Sequence, residues 1–572
     1  MRKLSLLLIF FLLSCNSTNN ITKDKLYNII SKYENFKPGD SNEYPLGEFT
    51  REHYKNIADF SKDLLDELDE IDFNILDESD RISAELLKFV LNDKIDYYSF
   101  ERFLNPLLSD SGFHINLGFI VKPISNFESA KNYLNRLNSI ENFVDQHLVN
   151  LRESLKKGVS QPKVIFKGYE STYNSHITNS VEENLFFSPF KSLPDNINKL
   201  QKDSIIIQAK LTVENKVIPQ FKRIKEFFES EYIPKTRETI GVSDTPNGLN
   251  YYQNRINYYT TSNKYTPTSI HEIGLREVER IKQEMFKIIE GLKFKGSFSD
   301  FLYYLRTDSK FYADSPEELL MIARDMAKRA DEQLPRFFKT LPRKPYGVAP
   351  VPSSIAPKYT GGRYVGTSKN STQPGYYWVN TYNLKSRKLY TLPSLTVHEA
   401  VPGHHLQGSL NNELGDEIPQ FRRNLYLSAY GEGWGLYTEF LAEEMGMYTT
   451  PYEHFGKLTY EMWRACRLVV DTGIHALGWS RDQAIDFMSS NTALSLHEIN
   501  TEVDRYISWP GQALSYKIGE LKIRELRKIA EEKLKTKFDI RDFHEVILEE
   551  GTVTLAILEE RVINYIINSL NN

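Results

Sequence analysis

Residues 397–407 read VHEAVPGHHLQ, which sets three imidazoles and one carboxylate into the eight residues from His398 to His405. A zinc ion takes neutral nitrogen donors, and a hydrolytic site built on one needs a carboxylate close to the reacting water. In the common HExxH arrangement two histidines four apart share one face of a helix. Here two further residues intervene. A straight helix would set His404 about 240° round from His398, and His405 on the same face but about 10 Å along the axis. Pro402 and Gly403 lie between them. Proline removes a backbone donor and clashes with the preceding turn, and glycine admits unusual dihedrals, so the sequence predicts a bulge or break at this point. Such a break would return His404 toward His398; His405 stays open as the alternative.

Three protein ligands leave one position of a zinc ion open to water, so a further donor must come from elsewhere in the chain. Downstream, YGEGWGLYTEFLAEEMG at 430–446 starts a new helical run with Glu432 and Glu439 two turns apart on one face. Glu439 is placed to orient an imidazole from behind. Together with GYYWVN at 375–380, which reads as a strand, the segments HEAVPGHHLQ and YGEGWGLYTEFLAEEMG resemble the bacterial family catalogued as domain of unknown function 885. That family is similar in turn to the helical zinc peptidases, among them thimet oligopeptidase, angiotensin-converting enzyme and the thermostable carboxypeptidases.

The resemblance covers most of the chain and is most specific in its last third. It implies a mainly α, zincin-like helical metallopeptidase fold with a small β element before the metal-binding helix. It also implies one zinc ion held by His398, His404 and Glu432, with Glu399 as general base, acting on oligopeptides. The related peptidases place a tyrosine near the scissile carbonyl late in the chain, where this sequence offers Tyr516 and Tyr506. In YEMWRACRLVVDTGIHALG, residues 460–478, Arg464, Arg467, Asp471 and His475 form one polar stripe on an otherwise apolar helix. Such a stripe is either paired internally, as Arg467 with Asp471, or faces a cavity. In the second case His475 would donate to a developing oxyanion, and Arg464 or Arg467 would receive a peptide carboxylate. Two rival readings share these residues: a surface lipoprotein that binds peptides or a metal without hydrolysis, and a zinc hydrolase of an ester or non-peptide amide. Glu399 beside His398 argues against a pure binder, which needs no base.

The chain opens MRKLSLLLIFFLLSC, a basic start, an apolar run and then Cys15, the layout of a secretory signal ending in a lipobox. Residues 1–14 are read as the signal peptide, 15–22 as a polar tether lipidated on Cys15, and 23–572 as a helical body with a candidate seam near 235–266. This places the protein in a bacterial cell envelope, held to a membrane by its lipid. Cys466 is the only other cysteine, so after lipidation no disulfide can form within the chain. Without residues 1–14 the balance is 69 basic to 76 acidic side chains, since Arg2 and Lys3 are removed from the 71 of the whole sequence. No basic block stands apart from neighbouring acids, which excludes a nucleic-acid footprint. Apolar residues at 40% with helical spacing, as in SKDLLDELDEIDFNILDESDRISAELLKFV, predict helices packed on helices through the N-terminal half. The Gly-, Tyr-, Asn- and Thr-rich stretch 235–266 predicts turns or short strands instead.

Overall fold

The computed structural model describes residues 21–353 and 355–571. Helices hold 68% of the residues and strands 3%, which fixes the class as mainly α. Cys15, the signal and most of the tether lie outside the described residues, and the helix at 21–35 begins within the last two positions read as tether. No described helix is long and apolar enough to cross a membrane. The chain divides into two units.

The first unit contains residues 21–75, 87–251 and 507–509 of the described chain. Its helices follow the apolar spacing closely. In Phe127–Asn138 the buried positions are Ala130, Tyr133, Leu134 and Leu137, one stripe at helical period. Asn126 starts that helix by a reciprocal cap with Ser129, and Asn198 does the same with Gln201 for Lys199–Thr212. The core is rich in rings. His147, on Ile140–Lys156, is enclosed by Phe49, Phe113 and Phe143 at centroid distances of 4.4, 4.5 and 4.6 Å.

The second unit contains residues 76–86, 252–506 and 510–571. The short segment 76–86 belongs to it through Arg422, which is 1% exposed. One arm of that guanidinium donates to the Ser79 carbonyl and to the hydroxyls of Ser79 and Ser83; the other donates to the Glu550 carboxylate at 2.6 Å. The elements that matter for the site are α1 (Pro267–Gly291), β1 (Tyr346–Pro350), β2 (Gly362–Val365), β3 (Gly375–Val379), α2 (Leu392–Glu399), α3 (His404–Glu413), α4 (Ser428–Leu441), α5 (Pro451–Ala476) and α6 (Ser515–Leu534). The three strands form one sheet in the order β1-β3-β2, with β1 parallel and β2 antiparallel to β3. The strand expected at GYYWVN is thus the central one. Helix α5 is almost wholly buried, from Phe455 to His475, which is why its polar residues must find partners inside the protein.

One expectation is corrected. Within 235–266 the chain forms a helix, Gly248–Tyr259, rather than only turns or strands. Tyr252 and Ile256 are fully buried, and Tyr252 donates to Asp471 at 2.6 Å. Their four-residue spacing and this buried bond outweigh the modest helix propensity of Asn and Tyr around them. One of the points at which the chain passes between the two units, Tyr251 to Tyr252, falls inside this helix.

Candidate metal centre

The motif segment is two helices with a reversal between them. Helix α2 ends at Glu399 and α3 starts at His404. Across the gap the His405 N–H donates to the Ala400 carbonyl at 3.1 Å, five residues back, so the turn is wider than an α-helical one. Gly403 sits against the end of α2. A Cβ there would meet the His398 carbonyl oxygen at 1.9 Å, so no other residue fits this path. Helix α4 is pinned alongside: Trp434 Nε1 donates to the Pro402 carbonyl at 2.8 Å and Thr438 Oγ1 to the Val397 carbonyl at 3.2 Å. The His398 ring lies across Gly435, where a Cβ would come within 2.7 Å of it. A side chain at 435 would push the imidazole off its position.

These contacts bring His398, His404 and Glu432 together, with one ligand atom from each lying within 4.8 Å of the others. His398 Nε2 is 3.5 Å and His404 Nε2 is 3.4 Å from Glu432 Oε2. Donors about 2.0–2.1 Å from a tetrahedral zinc ion stand about 3.3–3.4 Å apart, so the distances from both imidazoles to Glu432 Oε2 suit such an ion. The two imidazole planes are nearly perpendicular, at 86°. On the far side of His398, Nδ1 lies 2.8 Å from Glu439 Oε1, and this carboxylate is 1% exposed. A carboxylate on the non-ligating nitrogen fixes the ring's tautomer and orientation. Arg464 Nη2 stands 3.4 Å behind the same oxygen and offsets its charge.

Electrostatics bind the group tightly. Burial alone would lower His398, but the hydrogen bonds and charges of Glu432 and Glu439 push it up to about 10. Burial alone would raise Glu432, and the two imidazoles instead hold it well below the usual carboxylate range. Glu399 follows His398 and is half-buried; its Oε2 accepts the Tyr364 N–H from β2 at 2.7 Å.

The family described as "Bacterial protein of unknown function (DUF885)" matches residues 37–562. The chain belongs to the DUF885 family. Among solved structures, a protein of Colwellia psychrerythraea described as a "putative lipoprotein" is similar at 27% identity and a TM-score of 0.81, over 97% of this chain and 98% of that one. A second, from Shewanella oneidensis and described as a "putative lipoprotein of unknown function", shares the fold at 16% identity and a TM-score of 0.69, over 95% of this chain and 98% of its own. No curated protein matches this DUF885 member.

Other residues singled out in the DUF885 sequence sit differently from expectation. His405 is turned away from Glu432, with Nδ1 3.1 Å from Tyr364 Oη and 3.2 Å from Ser409 Oγ, and burial pulls it down to about 4. His475 is fully buried, and its Nε2 lies 2.9 Å from the Tyr506 carbonyl. It stands three turns, about 16 Å, along α5 from Arg464, and this ring nitrogen is spent on a bond within the fold. Arg464 and Arg467, expected to receive substrate, are 6% and 2% exposed and face internal partners. Arg464 backs Glu439, and its guanidinium lies over Tyr460 and Trp463. Arg467 donates to Tyr506 Oη and Glu502 Oε2, each at 3.0 Å. Asp471 is therefore not its partner; that carboxylate accepts from Tyr252 and from the Gly511 N–H at 3.1 Å.

Tyr516 is nearly buried, with the Arg467 guanidinium over its ring at 4.3 Å. Its hydroxyl lies close enough to Tyr426 to act on it electrostatically. Sequence reasoning missed Tyr426 itself, whose hydroxyl donates to Glu432 Oε1 at 3.3 Å and so holds Oε2 toward the histidines. It also missed the Tyr364 N–H, since a backbone donor carries no residue signature.

Proposed function

We propose that this DUF885 protein is a zinc-dependent peptidase of zincin-like fold, cleaving oligopeptides and held to a bacterial envelope membrane by a lipid on Cys15. The observation that carries the reading is the spacing of 3.4–3.5 Å from both imidazole Nε2 atoms to Glu432 Oε2, beside a carboxylate that follows His398 directly. His398, His404 and Glu432 hold the ion. Zinc, when bound, supplies a Lewis acid that polarises a carbonyl and makes water more acidic at neutral pH. Every other part of the chemistry falls to side chains of this chain.

Glu439 holds the His398 ring through Nδ1, which keeps the proton on that nitrogen and turns Nε2 toward the ion. Tyr426 turns Glu432 so that Oε2 is the ligating oxygen. Glu399 is the general base. The Tyr364 N–H fixes its Oε2, which leaves Oε1 to take a proton from water and then give it to the leaving nitrogen. His404 and Glu432 are 17% and 16% exposed at the side chain, enough for a substrate carbonyl to reach the group while His398 stays sealed. A lipid on Cys15 agrees with the descriptions of the two similar structures.

The test is a fluorogenic peptide library assayed with and without a chelator, with an ester panel run beside it and the metal content of the purified protein measured. Peptide cleavage that stops on chelation and returns with zinc supports the reading. Zinc bound at one equivalent with no cleavage of peptide or ester would leave a binder, and cleavage confined to esters would make it an esterase.

A further inference from the structure

The second histidine of the pair stands apart from the three candidate ligands, yet a short run of contacts joins it to Glu399. His405 is buried and follows His404 on α3, about 100° further round the helix. Its Nδ1 lies 3.1 Å from Tyr364 Oη and 3.2 Å from Ser409 Oγ, the latter one turn along the same helix. The ring also packs against Tyr346 of β1, with centroids 4.7 Å apart, and the Tyr346 hydroxyl donates to Asp331 at 3.1 Å. The imidazole is therefore held from α3 and from the sheet at once.

Tyr364 meets the motif at both of its ends. Its hydroxyl reaches His405, and its backbone N–H donates to Glu399 Oε2 at 2.7 Å. The strand between those ends is poorly secured by its own backbone. β2 has four residues, pairs only with β3, and lies within GGRYVG at 361–366. A short edge strand makes few ladder bonds, and its glycines lose much conformational freedom on ordering. The N–H that reaches Glu399 is spent outside the ladder, so its position depends on where the whole strand lies. The Tyr364 side chain supplies an anchor. It crosses Gly375 of β3, where a Cβ would come within 2.3 Å of the hydroxyl, and ends on His405. A larger residue at 375 would push that hydroxyl off the imidazole.

We propose that His405 is a positioning residue for the general base: it holds β2 through the Tyr364 hydroxyl, so that the Tyr364 N–H keeps Glu399 Oε2 in place. The adjacent histidines of the motif then have separate tasks. His404 serves the ion, and His405 serves the strand that aims the base. The catalytic half of this assignment rests on the reading of Glu399 as the base, whereas the hold of His405 on β2 does not.

The experiment follows hydrogen exchange of the Tyr364 amide in the full chain, by mass spectrometry with residue-level fragmentation, in the wild type, H405L, H405N and Y364F. H405L and Y364F each remove one partner and are expected to speed that exchange by up to about tenfold, the worth of one hydrogen bond. H405N keeps a polar atom near the place of Nδ1 and should restore most of the protection. With zinc at wild-type level, kcat for peptide is expected to fall about tenfold in H405L and in Y364F at unchanged KM. The double variant should fall no further, because the two residues form one link. Unchanged exchange at Tyr364 in H405L and Y364F overturns the proposal, as does an additive loss in the double variant. Faster exchange with undiminished kcat overturns the link to the base. A wild type that cleaves no peptide sinks the peptidase reading instead, and exchange alone then judges the hold on β2. Should H405L fail to fold, Y364F, which loses a single oxygen, decides by the same readings.

Discussion

Buried histidine is put to opposite uses in the two units. In the first, His147 sits among three phenyl rings with neither ring nitrogen hydrogen-bonded, and burial pulls it down to about 3. His114, its neighbour, is also pulled down to about 3, by burial first and then by His176 and His147. In the second unit His398 is equally sealed, at 3% exposed, yet Glu432 and Glu439 drive it up to about 10. Depth of burial does not separate the two cases; the carboxylates do. An imidazole ringed by carbon is a packing residue that stays neutral. An imidazole with one acid at each nitrogen holds a proton tightly when no metal is present, and the same two acids suit a divalent cation in that proton's place.

The sharpest way to break this contrast is to remove the base and leave the ligands. Glu399→Gln keeps a side chain able to accept the Tyr364 N–H but unable to take a proton. Peptide hydrolysis is expected to fall by about 10²–10⁴-fold with zinc still bound at wild-type level. Retained hydrolysis in that variant would remove Glu399 from the mechanism. Next comes the ligand set itself. Glu432→Gln and His404→Ala should each release most of the zinc, measured as metal per protein after gel filtration, whereas His147→Leu and His405→Gln should release none. Zinc retained by Glu432→Gln and lost from His405→Gln would move the centre. A smaller effect is expected from Glu439→Gln. The contact to His398 Nδ1 survives as a neutral one, and zinc affinity should drop by about 10–100-fold rather than vanish.

Much of this was legible in the sequence, and the parts that were not share a cause. The break at Pro402-Gly403, the central strand at 375–379 and the regular helices followed from local chemistry, because proline, glycine and the period of apolar residues act within a few positions. The approach of α4 to α2 did not, since it depends on Gly435 leaving room for a ring from another helix. The stripe on α5 was seen as a stripe, but its partners Glu502, Tyr506 and Tyr252 lie 31–219 residues away, so its internal pairing could not be told from an open groove. The helix at Gly248–Tyr259 was hidden for the same reason, with Asp471 supplying the decisive contact from a distance. Arg422 gathering Ser79, Ser83 and Glu550 is another long-range tie that no local pattern announces.

The contrast makes a last and smaller prediction, about the direction in which pH acts. The folded chain keeps His147 unprotonated to about pH 3, while in the unfolded chain it takes up a proton near 6.5. The unfolded state therefore binds more protons between these values, and the stability that neutral His147 supplies, full above about pH 6.5, is lost as pH falls toward 3, at up to about 1.4 kcal/mol per pH unit. His147→Leu removes that loss, so its advantage over wild type in a urea unfolding series should grow with acidity. His398 runs the other way in protein stripped with chelator. Its folded value of about 10 lies above the unfolded one, so its contribution is full below about pH 6.5 and fades as pH rises to 10. His398→Asn should consequently be most damaging below about pH 6.5 and approach wild type on the alkaline side. If both variants diverged from wild type in the same pH direction, carboxylates would not be what sets the two histidines apart.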